Sequence, residues 1–289
     1  MDRTMTSIYR LSSATILDFV GEDTPAILHN LTTNEVKSLQ AGCGCETFIT
    51  DVRGKTLAHV FAFRTPTGYR LIGAPGQAEV IAAHADRYTI REDSAPLDHS
   101  ADLSVFVISP DAPISLRDET DWGESNAQRY DVDWLGDQTI ALVTDTPGAV
   151  QQVIETVGEL TADDKQFHHA RTIAGFPWFG VDLSDKNLPQ VASRIKQSIS
   201  FTKGCYLGQE TIARLDALGQ VQKQLVCWQT SGSIPNPGSE VTADGKVVGR
   251  LTSVAKTSDD TAVAIGIARR THFESGATAD GEGFTATVV

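Results

Sequence analysis

Apolar residues in the first part of the chain come in short blocks whose period keeps changing. Residues 14–20 are apolar and β-branched, which predicts a strand. Thr24 then stands where a helix cap belongs, with Pro25 at the first helical position, and Ile27, Leu28 and Leu31 fall on one helical face. Residues 48–52 and 56–63, separated by Arg53-Gly54, predict a β-hairpin. A strand over 69–72, a helix over 77–88, strands over 103–108 and 140–143 and a helix over 149–157 follow. This order lacks the strict strand–helix alternation of a doubly wound sheet and points to an α+β fold.

The pattern shifts near Ser231. Pro235, Pro237 and Gly238 open a run of short alternating segments at 240–242, 246–248, 251–254, 262–268 and 284–289, divided by Gly and Asp turns. Strands of that length and spacing predict a small antiparallel barrel. The expected division is 1–228, holding two α+β lobes, and 229–289, holding the barrel.

A chain of 289 residues with 40% hydrophobic and 21% charged positions can bury a sizeable core. No apolar run approaches the ~18 residues of a membrane span. The N-terminal stretch carries Asp2 and Asp18 and no apolar signal core, and four cysteines are too few for a disulfide framework. A cytoplasmic setting is therefore expected, with no membrane partner. The net charge of −13 argues against nucleic acid.

That charge is uneven. Residues 186–223 carry six basic side chains (Lys186, Arg194, Lys196, Lys203, Arg214 and Lys223) against Glu210 and Asp216, a local +4 in a chain that is otherwise −17. Such an island suits a small anionic ligand; a chance cluster of solvated lysines is the alternative.

Within the island, Lys203-Gly204-Cys205-Tyr206-Leu207-Gly208-Gln209-Glu210 gathers a thiol, an amine, an amide and a carboxylate around two glycines. Good helix formers over 209–215 predict a helix after Gly208. A cation two residues away and a helix start both favour a thiolate, so Cys205 is the candidate reactive group and Lys203 its candidate activator. The structural alternative is a glycine turn with an inert, half-buried cysteine.

This octapeptide resembles the signature of the YgfZ family of folate-binding proteins, which are similar to the aminomethyltransferase (T-protein) of the glycine cleavage system. The likeness continues through Thr211-Ile212-Ala213-Arg214. It extends to Gly21-Glu22-Asp23, Leu31-Thr32-Thr33-Asn34-Glu35-Val36, Asp51-x-x-Gly54-Lys55, Arg171 with Gly175-Phe176-Pro177-x-x-Gly180-Val181-Asp182-Leu183, Leu188-Pro189-Gln190, and Gly249-x-Leu251-Thr252-Ser253. The resemblance implies a three-domain ring around a central folate pocket, with a C-terminal barrel. It further implies tetrahydrofolate as cofactor, bound through Asn34, Arg171, Gln190, Tyr206, Gln209, Glu210 and Arg214. Iron–sulfur proteins or their assembly factors are the implied partners.

Departures place the chain within this group. T-proteins carry an acidic pair after the hairpin glycine, where this chain has Ala58-His59, and a pterin-facing glutamate where it has Ile173. A pterin's N–H donors want a carboxylate, which isoleucine cannot supply. Val191 also stands where an acidic residue is common in the family. The expected function is a tetrahydrofolate-binding accessory protein in iron–sulfur cluster assembly or maintenance, not a classical aminomethyltransferase. A folate-dependent one-carbon transferase and a cysteine hydrolase pairing Cys205 with a distant histidine remain alternatives.

Three weaker candidates stand outside the signature. Cys43-x-Cys45 puts two thiols on one strand face, open either to a metal or to plain packing. His168-His169 reads as a helix surface. Cys227 beside Trp228 reads as barrel core.

Overall fold

Strand Ile8–Leu11 lies inside a five-stranded sheet of order Thr161–Ala162, Ile8–Leu11, Ser104–Ile108, Thr139–Thr144, Gln128–Val132. The short Thr161–Ala162 strand pairs in parallel and the others are antiparallel. Ile8, Phe106, Ile108, Ile140 and Leu142 pack with Val150 and Ile154 of helix Pro147–Thr156. The computed structural model describes residues 7–117, 122, 125–219 and 221–289, so Asp2 lies outside the described residues.

A second sheet has the order Gly44–Thr50, Thr56–Thr65, Gly68–Gly73, Thr15–Val20, Ala95–Asp98. Its core strand runs antiparallel from Thr15 opposite Gly73 to Val20 opposite Gly68. Helix Thr24–Leu31 buries Ile27, Leu28 and Leu31 as their spacing predicts.

The third sheet is a closed barrel of order Lys223–Gly232, Thr261–Arg269, Lys246–Lys256, Glu240–Ala243, Thr278–Gly281, Phe284–Val288. Val226, Trp228, Val241, Leu251, Phe284 and Val288 fill it. Each large aliphatic side chain buried there contributes about 1.5–3 kcal/mol. The fold is α+β with a C-terminal antiparallel barrel, as the sequence pattern predicts.

By contact density the chain forms two compact units. The first takes the residues up to His29, Glu35–Thr47 and Val60–His168; the second takes Asn30–Asn34, Phe48–His59 and His169–Val289, including the barrel. The division expected at 228/229 falls inside the first barrel strand, Lys223–Gly232. The segments 246–248 and 251–254 are one strand, Lys246–Lys256, whose register shifts between Leu251 and Ser253. A bulge of this kind breaks the alternation without ending the strand. Among the described residues, no helix is long and apolar enough to cross a membrane.

Candidate functional site

The hairpin turn and the signature loop meet through their glycines, both in the second unit. Asp51 Oδ1 accepts the Arg53 and Lys55 amides at 2.9 and 2.8 Å, and Gly54 N–H donates to the Asp51 carbonyl at 2.9 Å. This Asx-type turn needs Gly54 at φ 79°, a region open to glycine. Gly208, also at φ 79°, immediately precedes helix Gln209–Leu218. A β-carbon on Gly208 would stand 2.5 Å from Gly54 Cα and 2.6 Å from the Asp51 carbonyl. Thr50 Oγ1 donates to the Leu207 carbonyl at 2.6 Å, and Leu207 N–H donates to the Asn30 carbonyl at 2.9 Å.

Lys203 closes the other side of the loop. Its ammonium is buried and donates to the carbonyls of Thr32 and Asn34 at 2.7 and 2.8 Å. It also lies 5.1 Å from the centroid of the Tyr206 ring. Asn34 Nδ2 donates to the Gln197 carbonyl at 2.8 Å, and Thr33 Oγ1 to the Ser198 carbonyl at 2.7 Å. Tyr206 packs with Ile199 and Ile212, and burial pushes its phenol up to about 12. Lys203 and Tyr206 therefore point inward while Gly204 and Cys205 are exposed. The loop is anchored on both sides of a thiol that faces solvent.

Of the residues expected at a ligand site, Asn34, Lys203 and Tyr206 come together here. Gln190, on the 3-10 turn Pro189–Ala192, reaches the same helix by donating Nε2 to the Ile212 carbonyl at 2.9 Å. Its Oε1 is buried with no hydrogen-bond partner. Gln209 is half-buried, while Glu210 and Arg214 are exposed one turn apart on the helix.

Arg171 belongs to a different cluster. It is buried, with Nη1 donating to Asp182 Oδ2 at 2.7 Å and to the Phe176 carbonyl at 3.1 Å, and Nη2 donating to Ser253 Oγ at 2.9 Å. Asp182 also accepts the Trp178 amide and the hydroxyls of Thr252 and Ser253. Desolvation lowers the Arg171 pKa, and the Asp182 carboxylate opposes that shift. The guanidinium joins the segment after helix Asp164–Ile173 to the barrel strand Lys246–Lys256.

Where T-proteins were expected to differ, an aromatic stack stands. His59 is buried between Phe48 and Phe176, with ring centroids 4.3 and 5.6 Å away and planes within 13°. The Arg194 guanidinium covers Phe176 at 4.7 Å. Ala58 is buried, and Ile173 is exposed at the end of its helix. Two of the six island cations, Arg194 and Lys203, thus face protein groups. Lys186, Lys196, Arg214 and Lys223 are exposed.

No family model matches the chain. It is 27% identical over 252 residues to the Arabidopsis thaliana protein named "Putative transferase At1g60990, chloroplastic", covering 81% of this chain and 58% of that one. To the tRNA-modifying protein YgfZ of Cronobacter sakazakii it is 26% identical over 251 residues, 82% of this chain and 75% of that one. To the mouse mitochondrial iron-sulfur cluster assembly factor IBA57 it is 26% identical over 275 residues, 84% and 73% of the two chains. The fold is that of glycine cleavage system aminomethyltransferase T from Bartonella henselae, with a TM-score of 0.81 at 14% identity over 99% of this chain and 86% of that one. The chain is thus similar in sequence to YgfZ and IBA57 proteins and in fold to an aminomethyltransferase T.

The remaining cysteines depart from expectation. Cys227 points out of the barrel toward Gly175, whose β-carbon would stand 2.8 Å from its sulfur, so it is not barrel core. Burial, with a smaller contribution from Asp182, raises its pKa. Cys43 is exposed and Cys45 half-buried. Among the described residues, no cluster of three or more metal-binding side chains exists. His168 and His169 are half-buried on helix Asp164–Ile173, and burial lowers the His169 pKa. A cavity of about 580 Å³ in the first unit, lined by Arg10, Ser12, Ser100 and Asp163 among others, contains none of the expected site residues. Thr33, Thr50 and Asp182 are positioning groups that no local pattern marks as such, although Thr33 and Asp182 lie within the Leu31–Val36 and Gly180–Leu183 strings.

Proposed function

We propose that this protein is a tetrahydrofolate-binding accessory factor in iron–sulfur cluster assembly or maintenance, and that Cys205 is its working thiol. The observation that carries the reading is the outward Cys205 on a loop tied down by Lys203, Leu207 and Gly208. A thiol kept for packing would be turned inward; this one is offered to a partner. The names of the YgfZ and IBA57 relatives support the choice of partner class.

The residues fit a reduced folate in part. Gln190 Oε1, a buried acceptor without a donor, suits an N–H donor of a pterin. Exposed Arg214, Lys196 and Lys186 suit the carboxylates of a glutamyl tail. Arg171 does not fit, because its donors are taken by Asp182, Ser253 and Phe176. Bound folate would supply a one-carbon carrier. Classical aminomethyl transfer is disfavoured because His59 lies in an aromatic stack and Ile173 carries no acceptor.

Two experiments test the two halves separately. Calorimetric titration with tetrahydrofolate is expected to show binding that weakens as salt rises and as Gln190 is changed to Leu. No heat at millimolar folate removes the ligand. In cells lacking a YgfZ protein, the wild-type chain is expected to restore iron–sulfur enzyme activity and Cys205→Ala is not. Full rescue by Cys205→Ala removes the thiol.

A further inference from the structure

The Cys43-Gly44-Cys45 segment lies in the first unit, and neither the signature nor the folate reading uses it. Gly42 N–H donates to the Arg64 carbonyl and Arg64 N–H donates to the Cys43 carbonyl, each at 2.9 Å. Two consecutive residues therefore oppose one, and the first, Gly42, has φ 83°. This is a glycine-type β-bulge at the head of strand Gly44–Thr50, the edge strand of its sheet. Bulges at sheet edges re-aim side chains.

Gly44 sets the face on which the thiols lie. A β-carbon there would stand 2.1 Å from Phe63 Cδ1, so the Phe63 ring fills the Gly44 side. Side chains alternate along an extended chain, which puts Cys43 and Cys45 together on the opposite face. Cys43 is exposed and Cys45 half-buried.

A cation shares this neighbourhood. The Arg64 guanidinium lies 4.8 Å from the centroid of the Tyr69 ring, and its Nη1 is buried without an acceptor. The Tyr69 phenol is raised foremost by burial, is pulled down by Arg64, and is pushed up by Cys45 and Glu35, so these groups lie within electrostatic reach of it.

We propose that Cys43 and Cys45 form a second thiol site, a redox-active dithiol that exchanges with small-molecule disulfides such as glutathione disulfide. The exposed Cys43 thiolate attacks one sulfur of the disulfide, forming a mixed disulfide and releasing one glutathione thiolate. Cys45 loses its proton to solvent and attacks the Cys43 sulfur, expelling the second glutathione thiolate. Two electrons pass from the dithiol to glutathione disulfide, leaving a Cys43–Cys45 bridge and two glutathione thiols. Gly44 gives the backbone freedom to close so short a ring. A bridge across one intervening residue is strained, so it is oxidising and readily reversed.

Peptide mapping of the full-length protein in glutathione buffers tests this. Trypsin releases residues 38–53 with both thiols, apart from Cys205 and Cys227. In the wild type that peptide is expected to lose two hydrogens as glutathione disulfide rises and to regain them with dithiothreitol. Cys45→Ser is expected to retain one glutathione adduct on Cys43, with a lifetime at least about tenfold longer than any adduct in the wild type. Cys43→Ser is expected to react more slowly, through the half-buried Cys45. A wild-type peptide that keeps stable glutathione adducts without an internal bridge, or that stays unmodified while Cys205 reacts, overturns the proposal.

Discussion

Gly208 rests directly on Gly54: a β-carbon on the first would stand 2.5 Å from the Cα of the second. The contact seats the start of helix Gln209–Leu218 on the hairpin turn and fixes where the preceding loop presents Cys205. Gly208→Ala adds a left-handed backbone penalty of about 1–2 kcal/mol and overpacking of about 1–3 kcal/mol. Gly219, at φ 56°, caps the other end of the same helix with nothing within 4 Å of its would-be β-carbon. Urea denaturation is expected to show Gly208→Ala less stable than Gly219→Ala by at least about 1 kcal/mol. Equal losses would mean that the glycine contact constrains nothing.

Asp182 is a second structural tie within this unit. It accepts from Arg171, Trp178, Thr252 and Ser253 while wholly buried. Asp182→Ala leaves the Arg171 guanidinium buried without its counter-charge, which costs about 3–5 kcal/mol. The urea midpoint should fall accordingly, and a change under 1 kcal/mol would mean that water or another acceptor replaces the carboxylate. If Arg171 serves the fold in this way, Arg171→Met should lower stability more than it lowers folate affinity in the molecules that remain folded.

Some of this was readable beforehand and some was not, for physical reasons. The hairpin over 48–63 was legible because its turn chemistry is local: Asp51 and Gly54 dictate the bend whatever surrounds it. The helix after Gly208 was legible for the same reason. Strand Ala95–Asp98 was not, since a largely exposed edge strand containing Pro96 carries no alternation. Lys203 lies two residues from Cys205, a spacing that suggests an activator of the thiol. Its ammonium turns instead to carbonyls at positions 32 and 34, partners that no local pattern reveals. Arg171 was misleading in the same way, because its partners lie at 182 and 253.

Tyr206 makes stability depend on alkaline pH. Burial raises its phenol from 10.0 to about 12 in the folded protein. A phenol that holds its proton more tightly when folded loses ground once the unfolded chain can ionise, because ionisation then draws the equilibrium toward the unfolded state. Its contribution is complete below the unfolded pKa of about 10 and disappears as pH rises through the folded value. The half-buried Cys227 thiol, also raised by burial, acts with the same sign, and its contribution is lost as pH rises through its raised folded value. Urea midpoints measured from pH 8 upward should decline, and Tyr206→Phe should flatten the upper part of that decline. An unchanged slope in Tyr206→Phe would place the alkaline loss elsewhere.

The exposed Cys205 and the buried Lys203 make opposite predictions about stability and reactivity. Cys205→Ala removes a solvent-facing atom and should alter stability by no more than about 0.5 kcal/mol. Lys203→Met removes a buried ammonium from two carbonyl acceptors and should cost about 1–3 kcal/mol. Loosening the clasp frees the loop, so Lys203→Met should also change the alkylation rate of Cys205 without changing that of Cys227. Limited iodoacetamide followed by mass spectrometry reads all four thiols at once. Cys205 and Cys43, both exposed, should label well before Cys227, whose thiol is raised in pKa and turned toward Gly175. If Cys227 labels as fast as Cys205, the signature loop does not present its thiol. If Lys203→Met keeps both wild-type stability and wild-type labelling, the ammonium is not the clasp that holds the loop.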